Sequence, residues 1–119
     1  MIDKTFAVNF AADWIDAWNS RDLVRVLAHY RDDFTMSSPK IIQIAGEPSG
    51  VLRGKAAVAA YWTTALARIP DLHFEFLSVF GGADRLVIHY MGAGGQPAAE
   101  SFVFDTDGLV IESAAHYAV

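Results

Sequence analysis

Glu100 sits in the segment AAESFVF (98–104), where alternation along a strand places it on the same face as Phe102 and Phe104. If those aromatics face an interior, the carboxyl faces it too, and burial raises its pKa. Such a carboxyl can act as a general acid, a base, or a hydrogen-bond donor to a bound carbonyl. The alternative is a carboxylate standing in water at the edge of the fold, or one bonded to a tryptophan N–H. A second candidate stretch is YRDDFTMSSP (30–39), with two adjacent aspartates and two adjacent serines. Successive residues point apart, so Asp32 and Asp33 are expected to hold a helix-to-strand corner through Asx-type hydrogen bonds rather than share a metal or a proton. The four histidines, His29, His73, His89 and His116, have no metal-ligand spacing, and no metal site is expected. No G-x-S-x-G turn marks a serine nucleophile, and the glycines form no phosphate-binding loop. Arg53 precedes a helix and could hold an acidic group there, but it reads better as an exposed loop residue.

The elements that must position these residues are legible as patterns. Phe6, Phe10 and Trp14 recur every four residues, flanked by Ala7, Ala11, Ile15 and Trp18, which predicts an amphipathic helix with Asn9, Asp13 and Asp16 outside. NSRD (19–22) interrupts it, and Ser20 or Asp22 can cap a short second helix whose buried stripe is Leu23, Val26, Leu27 and Tyr30. FTMSSP reads as a strand that Pro39 stops. A polar loop is expected from about Lys40 to Arg53, with IIQI (41–44) as a strand edge. Gly54 opens a third helix, with Val58, Trp62, Ala65, Leu66 and Ile69 on one face, and Pro70 ends it.

From residue 72 the period becomes two. In LHFEFLSVF (72–80), Leu72, Phe74, Phe76 and Phe80 are expected inward, with His73, Glu75, Leu77 and Val79 outward. RLVIHYM, AAESFVF and LVIESAAHYAV follow, separated by GGAD, GAGGQP and DTDG, so four strands form an antiparallel meander. His73, His89 and His116 fall on its outer surface. Three helices and then a sheet predict an α+β domain in which a strongly twisted sheet curls around the first helix and leaves a cone open at one end. Such a cone suits an apolar ligand.

Composition sets the outer bounds. The chain has 119 residues, enough for one domain spanning 1–119, and 53% of them are hydrophobic, more than one small core requires. A net charge of −5 with no basic run excludes nucleic-acid binding, and no segment is long and apolar enough to cross a membrane. With no cysteine and no leader-like start, a cytoplasmic protein is expected.

WIDAWNSRDLVRVLAHYRDDFTMSSP, LRGKAAVAAYW and ESFVFDTDGLVIE together resemble the SnoaL-like branch of the nuclear transport factor 2-like superfamily, whose catalytic members include ketosteroid isomerases and polyketide cyclases. The resemblance implies a cystatin-like cone-shaped roll, a single SnoaL-like domain, and homodimers paired through the outer sheet face. It gives the apolar outer positions Leu77, Val79, Val87, Met91 and Val103 a role. Ketosteroid isomerase activity is not implied. The base of those isomerases, an Asp before the strand-ending proline, is here Ser38, whose hydroxyl is too weak to take a carbon-bound proton. Their oxyanion tyrosine is replaced by Trp14, and only Glu100 stands where they keep an acidic donor. The expected site therefore has Glu100 as its one catalytic candidate. Trp14, Trp18, Met36, Ser38, Tyr61, Trp62, Phe102 and Tyr117 are expected to bind ligand, and no cofactor is expected. Two functions remain open: a cofactor-independent isomerase, cyclase or hydratase acting on a small hydrophobic carbonyl compound, or a non-catalytic ligand-binding or dimerisation module.

Overall fold

The computed structural model describes all residues, 1–119. Helix α1 (Lys4–Asn19) starts where the Asp3 carboxylate accepts a hydrogen bond from the Phe6 N–H. Its four-residue spacing of large side chains buries Phe10, Trp14 and Trp18 along one face. Arg21 ends the turn beyond α1 in the left-handed region (φ 57°), and its guanidinium donates to the carbonyls of Leu66, Ile69 and Pro70. Asp22 caps the short α2 (Leu23–Leu27) through the Arg25 N–H.

Strand β1 (Tyr30–Ser37) begins four residues earlier than the sequence pattern suggests. Tyr30 is therefore a buried strand residue rather than the end of the α2 stripe. The register of β1 slips between Tyr30 and Thr35, so Asp32 escapes the inward position that alternation would give it. Asp32 and Asp33 thus lie inside a strand and not at a corner. Their carboxylates make exposed ion pairs, Asp33 with Arg31 at 2.7 Å and Asp32 with Lys55 at 3.6 Å.

The segment after Pro39 is also not a loop with a strand edge. Pro39 opens helix α3 (Pro39–Ala45), with the Ser38 Oγ accepting from the Lys40 N–H. A proline at the first helical position loses nothing, because that N–H has no partner in a helix anyway. Ile41 is buried and Ile44 packs on the core, which gives α3 an inward face. Gly46, in the left-handed conformation, terminates it. The fold thus has four α-helices where three were expected. Strand β2 (Val51–Arg53) returns antiparallel to β1, and Arg53 is exposed beside Thr35. Helix α4 (Lys55–Arg68) follows and buries Val58, Tyr61, Trp62, Ala65 and Leu66.

Strands β3 (Glu75–Gly81), β4 (Arg85–Met91), β5 (Pro97–Phe104) and β6 (Val110–Tyr117) form the expected antiparallel meander. β6 then pairs parallel with β1, which gives an open six-stranded sheet of order β2-β1-β6-β5-β4-β3. The sheet is curved, and α1 packs across its concave side against β3. A bulge at Leu77 breaks the alternation of β3. Beyond it Val79, not Phe80, pairs with the inward Ile88 and packs on the core, while Phe80 turns outward beside Val87 and is 59% exposed. Phe76 keeps phase with Tyr90, but on the edge strand it remains 45% exposed.

Candidate functional site

The alternation of β5 is unbroken from Ala98 to Phe104, and it turns Ala98, Glu100, Phe102 and Phe104 inward. Glu100 is 4% exposed and sits between Ile88 and Ala115 of the flanking strands. Its Oε1 accepts a hydrogen bond from the Tyr90 hydroxyl at 3.3 Å. Loss of water around the carboxyl pushes its pKa up to about 7, while the Tyr90 hydrogen bond and the Lys40 ammonium oppose that rise. Near neutral pH both protonation states are populated, as proton transfer in either direction requires.

Glu100 lines a cavity of about 60 Å³ between the concave face and helices α1, α3 and α4. That volume holds only a few waters, at roughly 10–15 Å³ each by this measure. Aromatic groups dominate its walls. Trp14 and Trp18 come from α1, Tyr61 and Trp62 from α4, Phe74 from just before β3, and Tyr90 from β4. Met36 and Tyr117 complete the set that the sequence singled out and the cavity contains. Phe102 does not reach it. That ring is fully buried behind the wall, edge-on to Trp14 and Phe10.

Ser38 also lies outside the lining, although it is buried. Its hydroxyl caps α3 and sits beside the phenols of Tyr61 and Tyr117, restraining pKa values that burial pushes up. Trp14 is not a free donor, since its indole N–H bonds the Tyr30 hydroxyl at 3.0 Å. Trp18 differs: its Nε1 is buried with no hydrogen-bond partner.

Two cavity residues with polar side chains lie outside the expected set, Lys40 and Tyr90. Lys40, in the first turn of α3, lines the cavity with its Nζ 4.5 Å from the centre of the Tyr117 ring. Recognising Ser38-Pro39 as a cap followed by a first helical residue would have pointed to it. Tyr90 is the neighbour of Glu100 across the β4–β5 pair, one alternation step away. Its inward phase was legible, but its role as hydrogen-bond partner was not. The histidines stay dispersed. His29 binds Asp13 at 2.7 Å on the α1–α2 surface, and His116 binds the Ala99 carbonyl. No group of three or more His, Asp or Glu side chains converges as a metal site would require.

Comparison with known proteins places this geometry in a family. Residues 11–118 match the SnoaL-like domain model. A SnoaL-like protein of unknown function from Burkholderia thailandensis is 55% identical, with a TM-score of 0.95 over 99% of this chain and 98% of that one. IdmH, a putative polyketide cyclase from Streptomyces antibioticus, shares the fold at 17% identity and a TM-score of 0.75, over 93% of this chain and 91% of that one. TerC, co-crystallized with polyporic acid, does so at 12% identity and 0.77, over 95% and 92%. No curated protein matches the sequence. The chain belongs to the SnoaL-like domain family.

Proposed function

We propose that this protein is a cofactor-independent enzyme of the isomerase, cyclase or hydratase type, acting on a small, largely hydrophobic carbonyl compound. The observation that carries this reading is a single fully buried carboxyl, Glu100, with a pKa raised to about 7 inside an aromatic cavity. In the ionised form Glu100 takes a proton from the carbon next to the substrate carbonyl, and the C–H electron pair becomes an enolate. The phenols of Tyr61 and Tyr117 and the Lys40 ammonium are the available donors for the enolate oxygen. An isomerase returns the proton to another carbon of the same conjugated system. A cyclase lets the enolate carbon attack a second carbonyl, and Glu100 then protonates the new alkoxide. Neither path needs an oxidant or a reductant. The fold shared with a putative polyketide cyclase is consistent with this chemistry.

The test is proton exchange. In D₂O the wild-type protein should speed deuterium uptake at the α-carbon of a suitable small ketone or 1,3-diketone. Glu100→Gln should lose at least about a hundredfold of that rate while binding the compound equally well. Equal rates in both proteins would leave a binding module instead. In either reading a ligand larger than a few waters requires the glycine-rich turn at Gly92–Gly95, which borders the cavity, or α3 to move aside.

We also propose that two copies pair through the outer face of the sheet, as the resemblance led one to expect.

A further inference from the structure

The hydrogen-bonding groups around the cavity are unbalanced. Lys40, Tyr61, Tyr117 and the unpartnered Trp18 N–H can all donate, whereas Glu100, once ionised, only accepts and is already engaged by Tyr90. Lys40 is half-buried and lies beyond salt-bridge distance of every carboxylate. Arg25, Arg31, Lys55 and Arg85 each pair with an aspartate, and the other cations without a carboxylate in reach, Lys4, Arg21, Arg53 and Arg68, are exposed to water. Burial pulls the Lys40 pKa down, and the Glu100 carboxylate, too far away for an ion pair, only partly offsets this.

We propose that the substrate of this cavity is a small acidic carbonyl compound, whose carboxylate or acidic enolate oxygen meets Lys40 while its apolar part lies against the tryptophans. This proposal rests on the carbonyl-compound reading above and narrows it. A single cation with aromatic walls suits a monoanion whose charge is spread over carbon-bound oxygens. A phosphate dianion would bring more charge than one lysine can balance, next to a carboxyl it would repel.

All three tryptophans of the chain line the cavity, so their fluorescence reports its occupancy. Benzoate can be titrated against benzamide, and the enolate of cyclohexane-1,3-dione against the neutral 3-methoxycyclohex-2-enone. The expected result is that at least one anion binds about tenfold more tightly than its neutral partner. Which anion does so separates a carboxylate from an enolate substrate. Lys40→Gln should bring that ratio close to one, and Lys40→Arg should keep the preference. Neutral probes binding as well as anions, or a preference that survives Lys40→Gln, would overturn the proposal while leaving the carbonyl-compound reading intact. If no probe perturbs the fluorescence, both readings fall together.

Discussion

Glu100 ties the proposed chemistry to a stability penalty that can be measured without knowing the substrate. Its folded-state pKa of about 7 lies above the 4.5 expected for an unfolded glutamate. The folded protein therefore holds this proton more tightly than the unfolded chain does. The stability linked to Glu100 is complete below about pH 4.5, falls as pH rises toward 7, and is lost above that. The difference is on the order of 3 kcal/mol across that window. Glu100→Gln, which cannot ionise and still accepts from Tyr90, should unfold at a temperature several degrees higher than wild type at pH 8. The advantage should shrink toward pH 4.5, and calorimetry at the two pH values checks it. No gain at pH 8 would mean that the carboxyl is better solvated than its burial implies. Tyr90→Phe should act in the opposite sense on ionisation. It removes the hydrogen bond that favours the carboxylate, so the Glu100 pKa should rise further. Carbon NMR titration of the glutamate side chains would follow this directly.

At the scale of elements, Arg21 is the side chain whose contribution sequence patterns conceal. It adopts a left-handed conformation at a cost of about 1 kcal/mol, and its guanidinium satisfies carbonyls at the C-terminal end of α4. Arg21→Ala keeps the strain and loses those bonds, and should destabilise by about 1–2 kcal/mol in urea unfolding. Arg21→Gly relieves the strain and should recover part of the loss. What could be read in advance follows the same physics. The helices α1 and α4 and the phase of β5 were legible because their apolar spacing runs without interruption through Trp14, Trp62 and Glu100. Alternation fails where a residue is inserted, and the bulge at Leu77 therefore exchanged the roles of Val79 and Phe80. The α3 helix is hidden because a proline after a strand reads as a stop, although Ser38 before it and Gly46 after it mark a helix's two ends. The same ambiguity conceals Lys40, the cation on which the substrate proposal depends. Ser38, expected to bind ligand, instead lies outside the cavity lining beside the Tyr61 and Tyr117 phenols, and its hydroxyl caps α3.

At the scale of the whole molecule, the outer sheet face remains uncovered in a single chain. Across it Phe80, Val87, Ser101 and Ala114 stand in one row, with Ala99 between His89 and His116 in the next. Small residues in the middle of the sheet let another surface approach the backbone closely, and Phe80, Leu77 and Met91 toward the β3 side supply apolar area. A second copy would bury this face without spending any of the cavity's polar groups, which lie on the opposite side of the same strands. Sedimentation velocity should therefore give a dimer at micromolar concentration. Phe80→Asp should shift it to monomer, because a carboxylate in the row beside Val87 would lose its water on pairing. The cavity is formed within one chain, so the Phe80→Asp monomer should still bind the neutral probes. A wild-type protein that sediments as a monomer at high concentration would remove the pairing proposal and leave the cavity unaffected. A monomeric variant that also loses probe binding would mean instead that the dimer holds the concave face in shape through the strands the two surfaces share.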